Sequence, residues 1–257
     1  MKIVSLVSRI MSLSFLLMLV SPQTIAQDMS SSDDGNVSDI TIVTEDDVTL
    51  KGTYYAAAEP GPAVLFVHMC RSDADRTTWA EVATELISAG IHSLAIDLRG
   101  YGESSGAEPP FTTMANFISF WRTTGMNDIE AAHRFLNSQP GVLPQKIGYA
   151  GASCGVFIGI EAAQRFSNIS ALALLSGPFD DGAAATLSSL GAIPVLGASS
   201  EGDTRSYQAM KRVFLETTNE HSRNIQFKGD AHGTDMFKQQ PDLSGEMVDW
   251  FKHWLLQ

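Results

Sequence analysis

Two neighbouring side chains in "GASCG" (151–155), Ser153 and Cys154, are both of nucleophilic type. A serine hydroxyl attacks a carbonyl only when a base takes its proton and a carboxylate orients that base. A cysteine attacks as its thiolate. The pattern Gly-x-Ser-x-Gly, with Ser153 at its centre, recurs in "GESSG" (102–106), centred on Ser104. The residues after each copy separate the two. "AEPP" comes after Ser104, and two prolines forbid an immediate helix, so Ser104 reads as a turn residue. "GASCG" lies between the apolar "KIGYA" and the helix-forming "CGVFIG", the order strand, sharp turn, helix. Such an elbow strains the backbone at its central serine, and its glycines relieve clashes with neighbouring elements. The free N–H groups of the helix start then face developing negative charge.

The strand–elbow–helix motif resembles that of α/β-hydrolases, and the resemblance implies the chain order Ser, then Asp or Glu, then His, with acid and base after Ser153. Three of the six histidines lie beyond Ser153. His253 sits in a closing helix beside Trp250 and Trp254, and His221 in "TTNEHSRN" at a helix end; both read as surface residues. His232 is in the loop "KGDAHGTDM" beyond the last strand, where a base is expected. Asp203 follows "IPVLGA" and its turn, and is the expected carboxylate. It would hold the histidine tautomer and stabilise the imidazolium, although a helix N-cap is its competing role. Asp180 and Asp181, after "ALALLS", are the alternatives, and Glu201 is a weaker third.

These residues need elements to hold them. "DITIVT" and "VTLKGTYY" alternate like a strand pair around the turn at Glu45–Asp47. "AVLFV" (63–67) is a continuous apolar run, as in a strand covered on both faces. "WAEVATELISAG" (79–90) carries a helical stripe ended by Gly90. Strands at "HSLAID", "KIGYA", "ALALLS", "AIPVLGA" and "NIQF" then alternate with helices. The helices lie at "MNDIEAAHRFLNS" (starting near Asn127 or Asp128), "CGVFIGIEAAQRF", "SYQAMKRVFLE" and "GEMVDWFKHWLL". That alternation predicts an α/β architecture with parallel strands, helices on both faces, and functional residues beyond the carboxyl ends of the strands.

Five blocks in order, "VLFVHMC" (64–70), "LAIDLRGYGESSG" (94–106), "IGYAGASCG" (147–155), "PVLGASSEGD" (194–203) and "GDAHG" (229–233), carry a family resemblance. Over about residues 40–257 the chain resembles α/β-hydrolases of the dienelactone-hydrolase-like or serine-esterase kind. The resemblance implies an α/β-hydrolase fold with a mostly parallel central sheet. Dienelactone hydrolases proper place cysteine at the elbow centre; serine here favours a serine hydrolase. It also implies two backbone donors for an oxyanion: the Cys154 N–H, and one from the loop after "AVLFV". In that loop the usual His-Gly is here His68-Met69; Cys70 N–H is preferred for the second donor and Met69 is the alternative. His68 reads as a structural hydrogen-bonding residue. If Cys70 and Cys154 carry the donors, their Cα atoms face each other across a narrow site. The two cysteines are then either a disulfide stapling the oxyanion hole or two separate buried thiols.

Between "ALALLS" and "AIPVLGA" lie about 15 residues, too few for a large cap domain. The insertion 106–125 carries Phe111, Met114, Phe117, Phe120 and Trp121. These either pack a helix onto the sheet or line an acyl pocket. Arg71 and Arg76 flank the oxyanion loop, as solvated charges or as partners for a substrate carboxylate.

Residues 1–26 have Lys2 and Arg9 ahead of the apolar "IMSLSFLLMLV" and small residues at Thr24 and Ala26. This predicts a signal peptide cleaved after Ala26 and a secreted or periplasmic protein; an uncleaved anchor is the alternative. Residues 27–39 read as a flexible leader and 40–257 as one hydrolase domain. Removing the signal takes two of 17 basic residues and none of 29 acidic ones, leaving a net charge of about −14. That argues against nucleic acid and against stable association with an anionic membrane. No histidine or carboxylate cluster has metal-ligand spacing, so no metal or cofactor is expected. The residues thus predict an exported serine hydrolase that cleaves a small-molecule, ester-like substrate through an acyl-enzyme. The alternatives are a peptidase or amidase with the same triad and a non-catalytic binding domain. Oligomeric state is left open.

Overall fold

A run of seven residues with no exposed side chain sets the centre of this molecule, and the other strands are laid out on either side of it. The structure is a computed structural model that describes residues 30–31, 36–107, 113–177, 181–216 and 219–257. The expected signal peptide, Phe111 and Asp180 lie outside the described residues. β1 (Ser30–Ser31) pairs antiparallel with β2 (Val37–Val43), and β2 with β3 (Thr49–Tyr55). Asp47 takes a φ of 61° in the turn between β2 and β3, a conformation aspartate tolerates better than most residues. β2 starts at Val37 and β1 lies earlier still, so the sheet reaches into the stretch read as leader.

β4 (Gly61–Val67) is the seven-residue run, buried throughout. Ala63, Leu65 and Val67 point into one core while Val64 and Phe66 point into the other. That two-sided burial is why its sequence does not alternate. A 3-10 turn (Arg76–Trp79) leads into α1 (Ala80–Ser88), and Gly90, at φ 78°, ends that unit before β5 (His92–Ile96). Next come α2 (Met114–Arg122), α3 (Met126–Ser138), β6 (Val142–Ala152) and α4 (Cys154–Arg165). β7 (Ile169–Leu175), α5 (Asp181–Ser189), β8 (Val195–Ser200), α6 (Thr204–Glu216) and β9 (Arg223–Phe227) continue the alternation. A short α7 (Met236–Gln239) and α8 (Asp242–Leu255) close the chain.

The sheet order is β1-β2-β3-β5-β4-β6-β7-β8-β9, antiparallel up to the β3–β5 pair and parallel from β5 to β9. Buried residues of α2 to α6 fill the core on one face, and those of α1, α7 and α8 fill the core on the other. The insertion residues Phe117 and Trp121 serve that packing. Trp121 is fully buried and Phe117 meets Phe157 edge to face at 5.5 Å.

α3 starts at Met126, after Gly125, and neither Asn127 nor Asp128 caps it. Asp128 is instead fully buried, accepting from the Arg99 N–H at 2.9 Å and from Arg99 Nε at 2.8 Å. Asp46 grips the same guanidinium, which holds its carboxyl well below the usual carboxylate range. The second glycine–serine motif is likewise structural. Ser104 Oγ accepts from Lys51 N at 2.9 Å and donates to Asp97 O at 2.7 Å. Its hydroxyl thus ties a turn to β3, as expected of a turn residue.

Candidate active site

Ser153 stands between the last residue of β6 and the first of α4, with φ 55° and ψ −109°. A non-glycine residue there costs about 1–3 kcal/mol and persists only where surroundings impose it. They do so closely. Ser153 N–H donates to Leu175 O at 2.8 Å, and Val156 N–H donates to Ser153 O at 3.0 Å. A Cβ on Gly151 would sit 2.2 Å from Gly155 O, and one on Gly155 would sit 2.7 Å from Val67 O. Both glycines of the pentapeptide are therefore required by backbone packed on backbone. Cys154, first residue of α4, has an N–H with no intrahelical acceptor.

The loop after β4 is anchored at its root by His68. Its Nε2 accepts from the Leu98 N–H at 3.0 Å, so the ring proton is on Nδ1, which donates to Met69 O at 2.8 Å. Burial lowers the pKa of His68, in keeping with that neutral form. Cys70 is bonded to Cys154 as a disulfide with Cα atoms 5.7 Å apart. Of the two states expected for these cysteines, the structure has the bridge.

Asp203 and His232 come together from separate loops. Asp203 Oδ2 lies 2.6 Å from His232 Nδ1. The carboxylate faces the histidine rather than capping α6, which instead uses the Asp203 carbonyl to accept from Tyr207 N–H at 2.9 Å. The two loops touch directly: Gly202 N–H donates to Gly229 O at 2.7 Å and Glu201 N–H to Phe227 O at 2.9 Å. The residue after His232, Gly233, has φ 57°, and a Cβ there would lie 3.4 Å from Ala152 Cβ and 3.1 Å from Met69 Sδ. The histidine loop is thus seated on the elbow and on the β4 loop at once. Segments 68–70, 151–154, 201–203 and 229–233 converge at the carboxyl ends of the parallel strands, as predicted for such a sheet.

The other candidates lie elsewhere. Asp181 begins α5, exposed and 3.5 Å from Arg212. Glu201 pairs with Lys228. His221 and His253 are exposed and pack on Trp254, with ring centroids at 5.2 and 4.6 Å. Arg76 is bound to Asp97 and Glu103 beneath the loop. Arg71, next to Cys70, donates to Asp235 at 2.6 Å and also pairs with Asp73, holding the Asp235 carboxyl below its usual range. No spacing in the sequence points to that contact. Among the described residues no group of three or more His, Cys, Asp or Glu is arranged to hold a metal, and no helix is long and apolar enough to cross a membrane.

The family described as BAAT / Acyl-CoA thioester hydrolase C terminal matches residues 126–236, a span that includes Ser153, Asp203 and His232. An uncharacterized protein of Mycobacterium tuberculosis is 33% identical over 128 residues, covering 49% of this chain and 40% of that protein. The polyketide transferase ATR5 of Stachybotrys chlorohalonatus is 32% identical over 125 residues, covering 49% of this chain and 39% of that protein. The matches thus span well under half the length of these relatives. Among solved structures, the α/β hydrolase GrgF from Penicillium superposes with a TM-score of 0.69 at 15% identity, covering 86% of this chain and 99% of that one. A dienelactone hydrolase from Anabaena variabilis gives 0.66 at 22% identity, covering 86% and 99%. The Pyrococcus furiosus esterase Pf2001 gives 0.63 at 20% identity, covering 85% and 93%. The chain has the α/β-hydrolase fold, with no large cap among the described residues.

Proposed function

We propose that this α/β-hydrolase-fold chain is a serine hydrolase that cleaves ester-like bonds of small molecules through an acyl-enzyme. The observation that carries the reading is the 2.6 Å contact between Asp203 Oδ2 and His232 Nδ1, made by a histidine loop seated on the elbow that presents Ser153. With Nδ1–H donating to the carboxylate, Nε2 is the acceptor for the Ser153 hydroxyl proton. Ser153 Oγ attacks the carbonyl carbon, and the oxyanion receives the N–H groups of Cys154 and Cys70, each worth about 3 kcal/mol in such a site. The imidazolium then protonates the leaving alcohol, and water, activated by the same nitrogen, releases the acid. Cys154 is not a competing nucleophile while its sulfur is held in the bridge, because it has no thiolate to offer.

The names borne by similar proteins support the same chemistry: an esterase, a dienelactone hydrolase and a family described as acyl-CoA thioester hydrolase C terminal. Export through a signal peptide cleaved after Ala26 belongs to this reading, and the disulfide supports it, since such bonds persist in oxidising compartments. The net charge fits a small-molecule substrate and not nucleic acid.

The test is hydrolysis of short p-nitrophenyl esters, and of matched p-nitroanilides, by the wild-type chain and by Ser153→Ala. Ester turnover lost in Ser153→Ala supports the reading. Turnover equal in the two proteins overturns it, and anilide cleavage at a comparable rate makes the protein an amidase.

A further inference from the structure

The loop that offers one of the two donors is held by attachments of unequal strength. His68 fixes its root through two buried hydrogen bonds. Arg71 fixes its far end to Asp235 and Asp73, but these groups are largely solvated and exposed ion pairs hold weakly. Between them stands Met69, where a glycine would let the backbone adopt whatever shape the site required. The one attachment that joins position 70 to position 154, the two donor positions themselves, is the disulfide. Its Cys154 sulfur also rests 3.7 Å from the His68 carbonyl oxygen, so the bridge is packed on the loop it tethers.

We infer that the Cys70–Cys154 bridge is a positioning element of the oxyanion hole, so that the rate of acyl transfer depends on the bridge being oxidised. This rests on the serine-hydrolase reading above. The elbow does not need the sulfur: Ser153 is held by the Leu175 carbonyl, and Gly155 is pressed on the Val67 carbonyl. The loop does need it: without the bond, residues 69–71 are restrained by the His68 bond to Met69 O, by Met69 packing, by the turn bonds from Arg71 N–H to Met69 O and from Ala74 N–H to Arg71 O, and by partly solvated ion pairs, and none of these ties position 70 to position 154. Reduction by a dithiol begins at Cys70, the less buried residue of the pair, since Cys154 is only 3% exposed. The reagent's thiolate attacks Cys70 Sγ and expels Cys154 as thiolate. The reagent's second thiol then displaces Cys70 and closes a cyclic disulfide, so two electrons and two protons end on the two cysteines. A chain that has not yet reached an oxidising compartment would hold the triad without an assembled oxyanion hole, and would hydrolyse esters slowly until exported.

Steady-state kinetics on p-nitrophenyl butyrate, before and after dithiothreitol, test this on the full chain. Thiols are counted by alkylation and mass, and the fold is followed by circular dichroism. The expected result is a kcat lower by about ten- to a hundredfold, a KM changed by less than about threefold, an unchanged spectrum, and recovery on reoxidation. Cys70→Ser keeps the donor N–H and removes only the tether; it should show the same loss and no response to dithiothreitol. A reduced, folded chain with unaltered kcat overturns the inference. So does unfolding in both the reduced chain and Cys70→Ser, which would make the bridge a prop of the fold. An oxidised wild-type chain with no Ser153-dependent turnover overturns the serine-hydrolase reading itself, an outcome visible before any reductant is added.

Discussion

His232 Nδ1 meets Asp203 Oδ2 at 2.6 Å although the two residues stand on different loops, one beyond β8 and one beyond β9. The loops are joined through the Gly202 N–H and the Gly229 carbonyl, so the pair is set by main chain as well as by its own hydrogen bond. Its side chains are 16% and 36% exposed for Asp203 and His232, which leaves the imidazole reachable by substrate while the carboxylate stays sheltered.

Asp203→Asn should leave the fold intact and lower kcat on an ester by about a thousand- to ten-thousandfold, since the amide no longer selects the tautomer with Nε2 free. Asp181→Asn, at an exposed residue facing Arg212, should leave kcat within about twofold of wild type. Parallel kinetics on the two variants check this, and a larger loss in Asp181→Asn would move the acid to the end of β7.

Glycine substitutions should sort by space rather than by motif. Gly155→Ala sets a methyl group 2.7 Å from Val67 O, with no flexible side chain to yield, and should cost the soluble folded protein. Gly245, inside α8, has open space where a Cβ would go, so Gly245→Ala should stabilise by about 0.5–1 kcal/mol through helix propensity. Urea midpoints at a fixed slope measure both.

Three histidines away from the proposed triad set a pH dependence of stability. His68, His92 and His133 are buried, and desolvation lowers each pKa below the ordinary histidine value of 6.5. A folded pKa below the unfolded one means the unfolded chain binds more protons. Their contribution is therefore complete above about pH 6.5 and is lost as pH falls through the lowered folded values. Melting temperature should be level from about pH 8 to 7 and drop as pH falls below about 6.5. His133→Gln, which removes the ring stacked 4.1 Å from Phe166, should flatten part of that drop.

Much of this site could be read in the chain because the physics that makes it is local. β4 is apolar without alternation since both its faces are covered, and the elbow shows itself by strand, glycine-flanked serine and helix in immediate succession. Contacts between distant loops left no such trace. Arg71 and Asp235 are 164 residues apart, and nothing about either type or spacing predicts the pair. α5 was hidden for a different reason: "DGAAATLSS" faces its core with Ala183, Ala184 and Leu187, and small residues give a helical stripe little contrast. Asp128 reads only as lying near the start of its helix, yet it is buried inside α3 on the Arg99 guanidinium, a partner 29 residues away that no local spacing reveals.

Nucleophilic attack by the Ser153 hydroxyl is best checked by mass mapping of the chain after reaction with a fluorophosphonate probe. One adduct is expected, on Ser153, formed by the folded oxidised protein, absent after heat denaturation and absent in Ser153→Ala. An unmodified Ser153 in folded protein, or an adduct that persists in Ser153→Ala, would rule that nucleophile out.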